Sequence, residues 1–163
     1  MPDPRAPVAA GGCQCGAVRY ALYAMPEGSV CHCRMCQKAV GGPFAALAKL
    51  AKADIAWTRG TPASFRSSAT AFRDFCGACG TPLTFRYPDA PHMEVTMGSL
   101  DDPAAVPPVR NYGTESRLPW IAALHPGHLP DMVTGQLPPR DRTSRQHPDH
   151  DTPDGWSPPI VEG

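Results

Sequence analysis

Seven cysteines fall in three tight groups along this chain of 163 residues, and that spacing constrains the fold more than any other feature. Cys31-His32-Cys33-Arg34-Met35-Cys36 is a C-x-C-x-x-C run. Cys13 and Cys15 form an earlier pair between glycines, and Cys76-Gly77-Ala78-Cys79-Gly80 a later one. The last is the C-x-x-C-G knuckle of zinc ribbons, in which glycines permit the positive φ that turns amides toward thiolates. Clustered thiols in a reducing compartment point to metal ligation before disulfides, and an odd count argues against a complete disulfide framework.

The seven thiols divide as four plus three. Cys13, Cys15, Cys76 and Cys79 suffice for a closed, structural zinc site that ties an early segment to a distant knuckle. Residues i and i+2 of an ideal strand stand roughly 6.5–7 Å apart. That is too far for two thiolates on one zinc at about 2.3 Å each. The glycines around Cys13 and Cys15 are therefore expected to kink the chain. Cys31, Cys33 and Cys36 have no evident fourth protein ligand, so a zinc held there keeps an open position for water or a thiol, as catalytic sites do. A closed Cys3His site through His32, His92, His125 or His128 is the structural alternative. The iron–sulfur run C-x2-C-x2-C-x3-C is absent, and no βαβ pattern supports a thioredoxin-like reading.

Fifteen basic residues balance fifteen acidic ones. A net charge of zero gives no electrostatic footprint for nucleic acid or an anionic membrane. No apolar run reaches the length of a membrane span, and the proline-rich start lacks the apolar core of a signal peptide. A cytoplasmic location is expected. The chain divides into a disordered leader (1–10), a zinc-binding domain (11–130) and a proline-rich tail (131–163) expected to be largely disordered. From Pro138 onward three arginines meet five acids, a net of −2, and apolar residues are few.

Between the clusters, Val18, Tyr20 and Leu22 alternate with Arg19 and Ala21, which predicts a half-buried strand. Leu83–Tyr87 and Met93–Met97 alternate in the same way. Ser64–Ser68 has weak strand character. Phe44–Trp57 is rich in alanine and lysine, with Phe44, Leu47 and Leu50 at steps of three, and propensity alone predicts helix there.

Taken in order, C-x-C-G, C-H-C-R-M-C-Q-K, F-C-G-A-C-G-T-P-L, G-S-L-D-D-P and S-R-L-P-W resemble the glutathione-dependent formaldehyde-activating enzyme (Gfa) family, which includes centromere protein V. The resemblance spans about residues 11–130. It implies a mainly β fold, the Mss4-like or β-tent arrangement of antiparallel sheets around zinc sites, and so strand and turn over Phe44–Trp57. It implies Cys13, Cys15, Cys76 and Cys79 as structural ligands and Cys31, Cys33 and Cys36 as holders of a catalytic zinc, two zincs per chain. The implied activity is that of a carbon–sulfur lyase joining a thiol such as glutathione to an aldehyde, or cleaving an adduct such as S-(hydroxymethyl)glutathione. A non-catalytic zinc module recognising a small ligand or a protein is the alternative, because fold and metal site are shared more widely than chemistry.

The chain departs from the family pattern at Asn111, where members often carry histidine. Gln37 and Lys38, next to Cys36, are candidate partners for a ligand carboxylate, with solvated loop side chains as the plainer reading. Arg73 is expected near the Cys76 cluster, and Met35 is expected to pack.

Overall fold

The computed structural model describes residues 4–125, 127, 129–131 and 144–158. The chain runs β1 (Ala9–Gly12), β2 (Arg19–Leu22), β3 (Glu27–Cys31), α1 (Arg34–Val40), β4 (Ala45–Ala51), β5 (Ile55–Arg59), β6 (Ala63–Arg66), β7 (Phe72–Phe75), β8 (Pro82–Arg86), β9 (His92–Thr96) and β10 (Pro108–Tyr112), with short 3-10 turns between some of them. Two sheets result. One is β1-β2-β5; the other is β10-β3-β4-β9-β8-β7-β6. Every described pairing is antiparallel except β10 with β3. The mainly β architecture implied by the motifs is what the chain forms.

The segment with the strongest local helix preference became a central strand. Gly41-Gly42-Pro43 ends α1, and β4 then pairs with β3 on one edge and β9 on the other. Helix propensity differences amount to only tenths of a kcal/mol per residue. Two full ladders and the burial of Ala45, Leu47, Ala48 and Leu50 outweigh them. Tertiary context decided this element, and the helix expected from propensity over 44–57 does not form.

The large sheet separates two environments. Ala48 and Leu50 pair across with Val95 and Met93 and sit with Tyr20, Leu22 and Leu83 in the main core. Leu47 and Ala45 alternate to the opposite face and pack with Cys36 in a smaller cluster. On that opposite face Ser29 lies across from Leu47, Phe85 from Glu94, and Arg73 from Phe85. One face therefore holds the fold together while the other carries α1 and the polar residues around it.

The predicted half-buried strand β2 is buried along its whole length. Arg19, expected on the wet side, is 2% exposed. Its guanidinium is gripped by both oxygens of Asp101 (2.8 and 2.6 Å) and by Asp151 (3.0 and 2.8 Å), and a buried cation requires such partners. The Tyr20 hydroxyl meets Ser99 Oγ at 2.7 Å, and its ring stands edge-on to Trp57 at 5.9 Å.

Both ends of the chain contribute more than composition suggested. β1 begins inside the expected leader, and Val8 N–H donates to Leu22 O, so ordered structure starts before residue 11. Arg5 lies over the Tyr23 ring and pairs with Asp54. In the tail, residues 144–158 form a strap across β2 and β5. His147 N–H donates to Gln14 O, and Arg59 binds the Thr152 hydroxyl and carbonyl. The His147 ring packs on bare Gly16 (φ +77°), where a Cβ would lie 2.2 Å from the imidazole. The apolar content of the strap is low, as the sequence shows, but hydrogen bonds and the His147–Trp156 ring contact at 4.7 Å hold it.

The two carboxylates on Arg19 should differ sharply in effect. Asp101→Ala removes the bidentate partner of a buried cation and should lower unfolding free energy by about 3 kcal/mol. Asp151, 70% exposed, should cost about 0.5 kcal/mol when replaced by Ala. Urea unfolding of the two variants measures both, and equal losses would contradict the assignment of Asp101 as the principal partner.

Candidate metal centres

Cys13 and Cys15 follow β1, and Cys76 and Cys79 follow β7. The kink expected at the first pair is present: Cys13 and Cys15 sulfurs lie 3.6 Å apart, and Cys15 lies 3.8 Å from Cys76. Four thiolates at about 2.3 Å around a tetrahedral ion stand about 3.8 Å from one another. The group is thus spaced to hold an ion of zinc's size. The knuckle turn closes through Gly80 N–H to Cys76 O at 2.8 Å and Cys76 N–H to Thr81 O at 3.0 Å. Val18 N–H points at Cys13 Sγ from 3.3 Å, and Thr81 Oγ1 lies 3.1 Å from Cys79 Sγ. Burial pushes the Cys15 thiol up to about 12. At Cys79 burial works the same way, but the Thr81 hydroxyl and amide outweigh it and bring the thiol to about 6.

The second group is assembled by a strand end and a helix start. Cys31 closes β3, Cys33 caps α1, and Cys36 sits in the first turn of the helix. The Cys36 N–H points at Cys33 Sγ from 3.4 Å. All three sulfurs lie within 4.8 Å of one another, and among the described residues no histidine or carboxylate joins them. Burial drives the Cys31 thiol up to about 12. Burial opposes ionisation of Cys33 too, yet the Cys36 amide and its neighbouring thiols hold it below the ordinary value.

The tight turn after β10 brings Gly113 (φ +60°) against this group. A Cβ there would lie 2.7 Å from the Cys33 backbone nitrogen. Only glycine fits both the dihedral and the contact.

Several expectations for the neighbouring side chains change. Arg73 does not brace the Cys76 cluster. Strand alternation carries it to the α1 face, where Nη2 lies 3.2 Å from Cys36 Sγ and Nε donates to Ser67 Oγ at 2.9 Å. Gln37 is neither solvated nor ligand-facing; it is buried, and Nε2 donates to His32 O at 2.7 Å and Ser116 O at 3.0 Å. Lys38 is exposed on α1. Met35 is 49% exposed rather than packed.

Of the four histidines weighed as a fourth ligand, the three described ones, His32, His92 and His125, do not join the triplet. His32 turns away and meets Asn111 Oδ1 through Nε2 at 3.0 Å, with its ring against Phe44. Asn111, the departure noted in the sequence, is therefore the partner of a buried imidazole. His92 lies in β9, His125 is exposed, and His128 falls outside the described residues.

A cavity of about 360 Å³ opens at the triplet, with Cys31, Cys33 and Cys36 on its wall beside Phe85, Glu94 and Tyr112. A second hollow of about 390 Å³ lies between the four-thiol knuckle and residues 146–149. The second is slightly larger, but the four sulfurs beside it already complete a ligand set. Only the first pairs a cavity with an incomplete one. Neither Glu94 nor Tyr112 stood out in the sequence, because each comes to the triplet through strand register rather than through chain neighbours.

A small β protein whose two sheets bring seven cysteines into one four-thiol and one three-thiol group, the latter open to a cavity, defines a class of metal-binding protein. The family model for glutathione-dependent formaldehyde-activating enzymes matches residues 8–116, more than half of the chain. The chain belongs to that family. A Schizosaccharomyces pombe protein described as an uncharacterized lyase is 35% identical over 78 residues, covering 47% of this chain and 56% of that protein. The chain thus spans about half the length of this curated relative. A crystal structure of a Rhodobacter sphaeroides protein superposes with a TM-score of 0.51 at 23% identity, covering 63% of this chain and 98% of that one. This likeness concerns the fold. No helix among the described residues is long and apolar enough to cross a membrane.

Asn111→Ala should leave His32 Nε2 without its partner and lower stability by about 1 kcal/mol. Thermal unfolding compared with the parent protein measures it.

Proposed function

We propose that the chain is a zinc-dependent carbon–sulfur lyase that interconverts a thiol–aldehyde adduct, of which S-(hydroxymethyl)glutathione is the family's example, with its free thiol and aldehyde. The observation that carries the reading is the three-thiol group facing a cavity with no fourth ligand among the described residues. In this reading Cys13, Cys15, Cys76 and Cys79 hold a structural zinc, and Cys31, Cys33 and Cys36 a catalytic one, two per chain. The catalytic unit occupies residues 11–130 and works in the cytoplasm.

The reaction breaks one C–S bond as the adduct hydroxyl loses its proton and becomes the aldehyde C=O; the departing sulfur ends as a thiol. Cys31, Cys33 and Cys36 would hold the zinc, which when bound would supply Lewis-acid stabilisation of a thiolate sulfur or a carbonyl oxygen. The remaining work belongs to the protein. Arg73, 6% exposed and 3.2 Å from Cys36 Sγ, works against the burial that pushes this thiol up, and it fixes the direction of the sulfur. Gly113 lets the post-β10 turn press on the Cys33 backbone, and the buried Gln37 amide ties His32 O to Ser116 O, so the triplet loop has no freedom to spread. Phe85 and Leu47 line the cavity beside the thiols, and apolar walls of this kind strengthen charge interactions next to them.

Protein purified without chelator should carry two zincs per chain and cleave a hydroxymethyl thiol adduct. Cys33→Ser should abolish turnover and retain the fold, whereas Cys76→Ser should unfold the protein, because structural zinc contributes about 10–16 kcal/mol. A Cys33→Ser protein as unfolded as Cys76→Ser would make both sites structural and refute the enzyme reading. Gly113→Ala should lower metal content from two toward one while circular dichroism stays β-rich. Retention of both metals in that variant would show that the turn does not shape the site.

A further inference from the structure

The charge inventory of the triplet cavity narrows the substrate. Among the described residues two charged side chains line it, Arg73 and Glu94. Arg73 is already committed: Nη2 faces Cys36 Sγ, Nε binds Ser67 Oγ, and the guanidinium lies over Phe85 at 4.7 Å. Glu94 makes no hydrogen bond or ion pair among the described residues; burial raises its pKa, against the pull of Lys49 and Arg73. As a carboxylate it would repel a carboxylate on a substrate. Lys49, opposite Glu94 across β4 and β9, is exposed and does not line the cavity. Gln37 and Lys38 do not line it either. Apart from Ser29 and Ser68, whose hydroxyls are already bonded to backbone, the remaining described wall is aromatic or apolar, with Phe85, Tyr87, Tyr112, Met35 and Leu47.

We infer that this cavity takes an adduct whose thiol half is apolar or aromatic, and that Glu94 turns away thiols that carry a carboxylate and no ammonium. A buried carboxylate needs a cation or several N–H donors. Here a substrate carboxylate would meet Glu94, while the guanidinium on the wall, Arg73, is already held at Cys36 Sγ. An aryl or alkyl thiol needs no such partners and can pack on Phe85, Tyr87 and Tyr112, which line the cavity. The inference rests on the lyase reading and deepens it, since it names the thiol half of the adduct. Rejection by unpaired charge is a repulsive device, and such devices set specificity as firmly as attractive contacts.

The experiment uses the metal-loaded protein as purified, with zinc counted before and after. Turnover is measured on the formaldehyde adducts of benzyl mercaptan and of para-mercaptomethylbenzoate, which differ by one carboxylate, and binding of the two free thiols by calorimetry. The benzyl mercaptan adduct should have the higher kcat/KM by at least about tenfold, and benzyl mercaptan should bind tighter by a similar factor. Glu94→Gln should narrow both ratios by about threefold or more. Turnover of the para-mercaptomethylbenzoate adduct that equals or exceeds that of the benzyl mercaptan adduct overturns the inference and leaves the lyase reading standing, as does a ratio that Glu94→Gln does not move. Tighter binding of benzyl mercaptan with no turnover of either adduct supports the cavity's selectivity and refutes the lyase reading. Absence of both binding and turnover refutes the two together.

Discussion

The geometry of the four-thiol knuckle sets the rest of the molecule. Cys13 and Cys15 leave the small sheet, Cys76 and Cys79 leave the large one, and their sulfurs converge to 3.6 and 3.8 Å. Cys15 and Cys76 are 61 residues apart, so closing that loop costs conformational entropy before any contact rewards it. A structural metal releases about 10–16 kcal/mol, as much as the whole net stability of a typical domain, about 5–15 kcal/mol. Such a site can hold the two sheets in register at one end while the Tyr20–Leu22 core fills the space between them. The described strap then seals the same end through His147 and Gly16.

The second group of thiols depends on this scaffold without contributing comparably to it. β3 ends at Cys31 because its ladder with β4 ends there, Cys31 opposite Ala45. The chain turns into α1 at Cys33, whose thiol takes the place of a polar capping side chain toward the Cys36 amide. Burial pushes the Cys31 and Cys36 thiols up, and the molecule answers at Cys36 with one buried arginine from the neighbouring β7. Arg73 is itself held by Ser67 and by the face of Phe85, so its position does not rely on a bound ligand. This is the preorganised arrangement that electrostatic stabilisation requires, with its cost met during folding.

Much of this was legible in the residues, and the illegible part has a physical cause. Spacing alone separated four thiols from three, because ligand distances near 2.3 Å leave few ways to group cysteines along a chain. Alternation located β8 and β9. It failed at β4, where alanine and lysine favour helix locally and two flanking strands decided otherwise. It half-failed at β2, since an arginine counted as outward is buried by carboxylates 82 and 132 residues away. Arg73 and Glu94 reach the triplet through register across β7, β8 and β9, a relation that no local window contains. The strap escaped notice for a similar reason: composition reports how little apolar surface it carries, not that Arg59 and Gln14 offer it hydrogen-bond partners.

The same sheet that makes the fold also makes the site selective, because its two faces answer to different demands. On the core face Val95 and Met93 pack against Ala48 and Leu50, and volume is what matters. On the α1 face Glu94, lying between them in sequence, faces a cavity and is free of packing constraints. A one-residue slip of β9 would exchange these roles, burying a carboxylate in the core and losing the apolar pairs. The apolar positions therefore lock the register, and the register aims Glu94 at the open side of the triplet. Charge selection at the cavity is in this sense fixed by core packing on the reverse of the same strand, which separates it from the thiols: they determine that a metal binds, and β9 determines what approaches it.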